Sequence, residues 1–143
     1  MKKIKKLQTI LALLICLLIM VSYFLFNMKY LSKFIDSDIY AYTNNAAQGH
    51  LPNMFNPHHL MFDYGGYLFF HATKNIDNVG VDIHFNQKIK ALLISSIVAG
   101  LTFLALFFLS KRIFLSLIIT AFITFSRGFI SYAHINDTPI IHS

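Results

Sequence analysis

The chain has 143 residues, of which 56% are hydrophobic and only 13% are charged, and its formal net charge is +6. Soluble domains carry about 25% charged residues. The apolar residues here are gathered in blocks, which excludes disorder and a coiled coil and argues against a water-soluble core. A single cysteine, Cys16, excludes a disulfide framework and a cysteine zinc site. The composition predicts a small membrane protein, or the front part of a larger one.

The first apolar block covers residues 7–26 and would measure about 30 Å as a helix, which is the thickness of a bilayer core. It follows the basic start MKKIKK, as the core of a secretory signal does. However, the block is longer than a signal core, and it ends in the bulky sequence YFLFNM where a signal peptide would have small residues for cleavage. We therefore predict a basic cytoplasmic start at 1–6 and an uncleaved transmembrane helix at 7–27.

A loop of about 60 residues follows, from 28 to 90, and it is too rich in Tyr, Phe, Leu and Met for a disordered linker. Within it, residues 36–48 predict a helix that is capped by Asp36 or the serine after it and is stopped by Gly49. Two prolines follow and prevent the helix from continuing. Residues 59–73 then predict a second short helix. Both helices are expected to lie along the membrane surface.

Two further apolar segments end the chain. Residues 91–109 carry no charge, and their small residues favour close packing against another helix. A turn at 110–112 leads to a third predicted span at 113–130, which is near the short limit for crossing a bilayer. Residues 131–143 form a stub on the far side.

The basic residues are sorted between the two sides of the membrane. Six of them, with no acidic residue, flank the predicted spans on the N-terminal side: Lys2, Lys3, Lys5, Lys6, Lys111 and Arg112. Because such flanks mark the cytoplasmic face, the N-terminus and the 110–112 turn are predicted to be cytoplasmic and the long loop to be outside. The pattern contains no basic patch of the kind that binds nucleic acid. The predicted fold is an all-α membrane protein with three transmembrane helices and a long extracytoplasmic loop that contains two short interfacial helices.

The start of the loop offers candidate chemistry. Asp36 and Asp38 follow the first span closely, and a carboxylate near lipid has a perturbed proton affinity, so it can act as a base or bind a cation. Helix capping and solvation are the plainer explanation of the same pair. His58 and His59 could contribute to a transition-metal site, but adjacent side chains point apart, and interfacial hydrogen bonding is the alternative.

A second polar group follows the third span, on the same predicted outer side. It contains Arg127, Tyr132, His134 and Asp137. An arginine alone at this depth would be ordinary snorkelling. Four polar groups on the same side as the two aspartates predict a cleft.

The motifs DSDIY at 36–40 and NPHHL at 56–60, placed in a long outer loop after one basic-flanked span, resemble the bacterial polytopic glycosyltransferases of the GT-C superfamily. The resemblance covers nearly the whole chain, but only about the front third of such an enzyme. It implies a bacterial inner-membrane protein that transfers sugar from a polyprenyl-phosphate donor to a lipid, glycan or protein acceptor outside.

The resemblance also implies roles for individual residues. Asp36 would be the general base on the acceptor hydroxyl, with Asp38 as the substitute. The residues that would bind substrate are Tyr40, His58, His59, Arg127, His134 and Asp137. The leaving phosphate would be stabilised by Arg127, by His134 or by a divalent metal ion, and no other cofactor is implied.

Members of the superfamily have many more spans, so we expect this chain to be the N-terminal portion of such an enzyme, inactive alone and dependent on partner membrane helices. Two other functions fit the same residues. One is a small membrane adaptor whose outer loop binds a partner protein. The other is a periplasmic metal-binding membrane protein that uses His58 and His59.

Overall fold

The computed structural model describes residues 2–29, 44, 47–49, 60–76, 79 and 82–134. The helices within these ranges are α1 (Lys2–Met28), α2 (Leu60–Thr73), α3 (Ile83–Ser110), α4 (Ile113–Thr124) and α5 (Arg127–His134). The described residues contain no strand. The chain is an all-α membrane protein, as the sequence predicted: α1 and α3 are long and apolar enough to cross a bilayer, and α4 is a shorter apolar helix.

Helix α3 begins eight residues before the predicted span. Its 28 residues measure about 42 Å, which exceeds the hydrocarbon thickness of about 30 Å. The Asp82 carboxylate accepts a hydrogen bond from the backbone N–H of His84 at 2.8 Å and so caps the helix start. No glycine or proline follows until Gly100. The polar residues 83–90 therefore extend the helix ahead of its apolar segment.

The third apolar segment is divided between two helices, whereas the sequence predicted one helix over 113–130. Helix α4 ends at Thr124 after 12 residues, and the N–H of Ser126 bonds the carbonyl of Ile123 in a tightened last turn. The Ser126 hydroxyl then accepts from the N–H of Phe129 at 3.3 Å. This side chain satisfies a donor at the start of α5, so it favours a new helix over continuation of α4.

The chain forms two compact units: Met1–Tyr30 with Leu92–Ala133, and Leu31–Ala91 with His134–Ser143. In the first unit, Ala12 and Cys16 of α1 are buried with Phe103 and Phe107 of α3. A Cβ added at Gly100 would lie 2.6 Å from Met20 Cγ and 3.1 Å from Cys16 Sγ. The two helices therefore lie close together at Gly100, which has no side chain, as small residues permit in membranes.

Helix α4 lies beside α1 in the same unit. The Tyr23 hydroxyl donates a long hydrogen bond of 3.4 Å to the Thr124 carbonyl, so the C-terminal ends of α1 and α4 are neighbours. The opposite end holds the α3–α4 turn, where Lys111 has φ 57° and Ile113 packs against the cluster around Ala12. The three apolar helices α1, α3 and α4 therefore run in alternating directions along the unit.

In the second unit, α2 contacts the first turns of α3 through polar side chains. Asn86 donates to the Thr73 hydroxyl at 2.7 Å, and Gln87 donates to the Gly66 carbonyl at 3.1 Å. Residues 47–48 are helical, and Gly49 follows with φ 67°. That is the left-handed conformation in which helices commonly end.

Candidate functional site

Most of the site residues predicted from the sequence lie outside the described residues: Asp36, Asp38, Tyr40, His58, His59 and Asp137. Their roles as general base, substrate contacts and metal ligands stay predictions. Arg127 and His134 are the first and last residues of α5.

Arg127 is exposed, and its position is fixed by its own helix. The ring of Phe129, two residues on, meets the ring of Tyr23 edge to face at 5.7 Å between centroids. The first turn of α5 therefore lies beside the last turns of α1. Arg127 therefore lies at the same end of the first unit as the C-terminus of α1.

Four aromatic rings lie together at the end of the first unit where α1 and α4 end. We call this end the aromatic end and define it as Tyr23, Phe26, Phe125 and Phe129. Phe125 lies 6.1 Å from Phe26 and 6.4 Å from Tyr23. Tyrosine is one of the residues enriched where membrane helices reach the interface, and T-shaped ring pairs stabilise the packing of these four rings. The aromatic end therefore lies at the end of the first unit opposite the charged turn at Lys111.

A cleft of about 340 Å³ opens between α1 and α4 directly below these rings. It is lined by Ile19, Ser22, Tyr23 and Phe26 from α1 and by Leu117, Thr120, Ala121, Thr124 and Phe125 from α4. Three α4 hydroxyls, spaced one turn apart, are buried: Ser116, Thr120 and Thr124. Those of Ser116 and Thr124 donate to carbonyls one turn back, at 2.9 and 2.8 Å. The Thr120 hydroxyl has no hydrogen-bond partner.

The second unit contains a polar cluster that the sequence does not predict, because the polar residues 83–90 are typical of a loop. Asn86 and Gln87 are fully or almost fully buried, with 0% and 1% of their surface exposed. Besides Thr73, Asn86 also bonds the carbonyl of Val79 at 3.2 Å. The signal that could have revealed the cluster is Asp82, a helix cap at the start of a run without glycine or proline.

Two lysines complete this part of α3, ahead of the apolar segment. Lys88 and Lys90 are 5% and 6% exposed. Burial lowers the pKa of the Lys88 ammonium, and the Asp82 carboxylate opposes part of that shift. Lysine is almost never buried to this degree unless it is paired. The start of α3 therefore buries two lysines together with the amides of Asn86 and Gln87.

Metal binding has no support within the described part of the chain. There, no three His, Cys, Asp or Glu side chains come close enough to hold an ion. His71 instead packs its ring against Tyr67 at 4.4 Å and Phe70 at 5.6 Å. The metal hypothesis rests on His58 and His59 alone.

Comparisons with protein-family models, with curated proteins and with solved structures found no match to this chain. Its function is therefore argued from its own residues and geometry.

Proposed function

We propose that the chain is the N-terminal portion of an integral-membrane glycosyltransferase, which transfers a sugar from a polyprenyl-phosphate donor to an acceptor at the outer face of a bacterial inner membrane. The proposal combines the DSDIY and NPHHL motifs with the arrangement of α1 and α4. It requires that the residues after α1 and the residues after α4 face the same compartment.

The observation that carries the proposal is the contact between the C-terminal ends of α1 and α4. Tyr23 contacts Thr124, Phe125 and Phe129, so the chain leaves both helices at the aromatic end. Asp36 follows α1 by eight residues, which span at most about 28 Å. The six basic residues of the opposite side make that side cytoplasmic by the positive-inside rule, and the aromatic end is then the outer one.

The proposed sugar transfer needs a base and a cation on that outer side. The acceptor hydroxyl attacks the sugar carbon while Asp36, or Asp38 in its place, takes the hydroxyl proton. The bond from that carbon to the phosphate oxygen breaks, and its electron pair leaves with the polyprenyl phosphate. The guanidinium of Arg127 would pair with the negative charge that grows on the phosphate.

The sidedness is tested with single-cysteine variants in a Cys16→Ala background. Asp36→Cys and Asp137→Cys are treated in intact cells with a membrane-impermeant maleimide, and Lys111→Cys is the control for the opposite side. We expect the two aspartate sites to be labelled directly and position 111 only after permeabilisation. Labelling of 36 and 137 from opposite sides would remove the basis of the proposal.

Donor binding is tested with the whole chain in liposomes and a photoreactive polyprenyl-phosphate sugar. We expect labelling that Arg127→Gln weakens and that Asp82→Asn leaves unchanged, because asparagine keeps the capping oxygen at position 82. We expect no turnover without the later helices of such enzymes. Robust turnover would contradict the proposal of an incomplete enzyme, and loss of all saturable labelling would contradict the transferase itself.

A membrane adaptor is the second candidate, and the outer surface of α1 favours it. One face of α1 exposes Leu7, Leu11, Leu14, Leu18 and Leu25 at helical intervals, and Leu13 and Leu17 are exposed beside it. This face is free to contact lipid or a partner helix. An adaptor predicts that partner assembly tolerates Asp36→Asn and Asp38→Asn but is lost when Tyr67, Phe69 or Phe70 is replaced by alanine.

A further inference from the structure

The basic residues of the first unit are concentrated at one end of it. We call this end the basic end and define it by six residues from the start of α1 and the α3–α4 turn: Lys2, Lys3, Lys5, Lys6, Lys111 and Arg112. The unit consists of Met1–Tyr30 and Leu92–Ala133, and these ranges contain no aspartate and no glutamate. The first unit therefore holds no acidic side chain that could balance the six positive charges.

Helix packing brings the two parts of the basic end to the same level. Cys16 of α1 lies against Gly100 of α3, where an added Cβ would be 3.1 Å from the Cys16 Sγ. The two helices run in opposite directions. Lys6 precedes Cys16 by ten residues, and the end of α3 follows Gly100 by ten. Because ten residues of helix measure about 15 Å in both cases, the backbone of Lys6 lies at about the level of the α3–α4 turn.

The turn itself borders the lipid. Lys111 and Arg112 are exposed, and the apolar residues on either side of them, Leu109 and Phe114, are 84% and 76% exposed. The Lys111 ammonium lies 5.2 Å from the centre of the Phe108 ring, which is itself about half exposed. The charges of the turn therefore lie next to side chains that face hydrocarbon, where a membrane helix meets the headgroup layer.

This position favours the phosphate groups of lipids as the balancing charges. Each Lys or Arg near a membrane surface strengthens its attraction for anionic lipid about fivefold, and the dipole of α4 begins at the same turn and adds to the positive potential. A cluster of about four to eight basic residues next to a membrane helix is the usual form of an anionic-lipid site. Water and small ions would balance the charges without any preference among lipids.

We propose that the basic end binds the headgroups of anionic phospholipids, with Lys111 and Arg112 holding their phosphates beside the α3–α4 turn. The inference does not depend on the glycosyltransferase proposal, nor on which side of the membrane the basic end faces.

The chain contains no tryptophan, so a single introduced tryptophan reports on the lipid beside it. Leu109→Trp places this reporter next to the turn, and Leu25→Trp places it at an exposed position near the opposite end of the unit. The full chain is reconstituted in phosphatidylcholine liposomes with brominated phosphatidylglycerol in both leaflets, and quenching by bromine is compared with that by brominated phosphatidylcholine.

We expect a preference for phosphatidylglycerol of at least about fivefold at position 109. The preference at position 25 should be clearly smaller, because that end of the unit carries two basic residues, Lys29 and Arg127, instead of six. Salt at about 1 M, which screens charges beyond about 3 Å, should remove the preference.

Charge variants in the first reporter background test the individual residues. Lys111→Gln and Arg112→Gln should each lower the preference, by up to about fivefold. The double variant Lys5→Gln with Lys6→Gln should lower it as well. Lys29→Gln removes one exposed charge from the opposite end of the unit and should change nothing.

Slow reaction of buried Cys16 with maleimide shows that each variant keeps the α1–α3 core. An equal preference at positions 109 and 25, or a preference that survives the combined loss of both charges of the turn, overturns the proposal. Sodium phosphate and sodium chloride of equal ionic strength should weaken the preference equally. A stronger effect of phosphate would mean that free phosphate occupies the site, and it would overturn the assignment to lipid.

Discussion

The contact between Gly66 and Gln87 offers a sharp test of how α2 is held in the second unit. A Cβ added at Gly66 would lie 2.7 Å from Gln87 Oε1 and 3.2 Å from Lys90 Nζ, whereas one added at the neighbouring Gly65 would meet no heavy atom within 4 Å. The two adjacent glycines thus form a matched pair in one helix. We compare Gly66→Ala with Gly65→Ala.

Both substitutions gain about 1 kcal/mol from the better helix propensity of alanine. At Gly66 the new methyl group displaces the Gln87 amide, which donates to the Gly66 carbonyl at 3.1 Å and is 1% exposed. Losing that hydrogen bond costs about 1–3 kcal/mol, while the amide keeps its second bond, to the Asn86 side-chain oxygen at 3.3 Å. Gly65→Ala should therefore stabilise the docked helix by about 1 kcal/mol, and Gly66→Ala should leave it about 1–3 kcal/mol less stable than Gly65→Ala does.

Hydrogen exchange of the α2 amides in nanodiscs measures this difference, because each 1.4 kcal/mol changes protection about tenfold. We expect protection to rise about fivefold in Gly65→Ala and to be at least about fivefold lower in Gly66→Ala than in Gly65→Ala. In a Gln87→Ala background the obstacle is removed, so Gly66→Ala should then resemble Gly65→Ala. Indistinguishable behaviour of the two glycine variants in the wild-type background would refute the reasoning.

Three further predictions follow from single contacts. Gly100→Ala pushes a methyl group towards Met20 Cγ and should destabilise the first unit by about 1–3 kcal/mol through overpacking. We expect a lower thermal midpoint of unfolding and faster maleimide labelling of Cys16. Gly128→Ala is the control, because Gly128 has open space around it. Asn86→Ala removes the hydrogen bonds to Thr73 and Val79 and should lower the free energy of exchange protection near Thr73 by about 1–3 kcal/mol. Asn75 is exposed, so Asn75→Ala should change that free energy by no more than about 0.5 kcal/mol. Ser126→Ala removes the cap of α5 and should cost that helix about 0.5–2 kcal/mol, measured as faster exchange of its amides, and Ser126→Asp should restore protection.

The helices themselves were largely readable from the sequence. The apolar lengths of α1 and α3 predict membrane helices, and the second short helix was predicted at 59–73 and is found at Leu60–Thr73. The start of α3 was placed too late because the polar residues 83–90 resemble a loop in a hydropathy pattern. Their burial depends on α2, which contacts them through Gly66 and Thr73.

The candidate site was only partly readable. Residue type, predicted sidedness and the resemblance led to a predicted general base at Asp36 and a predicted phosphate-binding cation at Arg127. Of these two residues, only Arg127 has a described side chain. The cleft beside Thr120 could not be predicted, since a threonine in an apolar helix gives no sign that its hydroxyl lacks the usual bond to the preceding turn.

The sequence by itself determined that this protein is helical and belongs in a membrane. A long apolar segment in hydrocarbon must satisfy its backbone hydrogen bonds internally, and a helix does so from local residues alone. Only the tertiary structure decided which faces meet, such as Gly100 beneath Met20 and Tyr23 against Thr124. Lipid is as apolar as the side chains, so hydrophobicity does not select these pairs; they depend on shape between residues that are far apart in the chain.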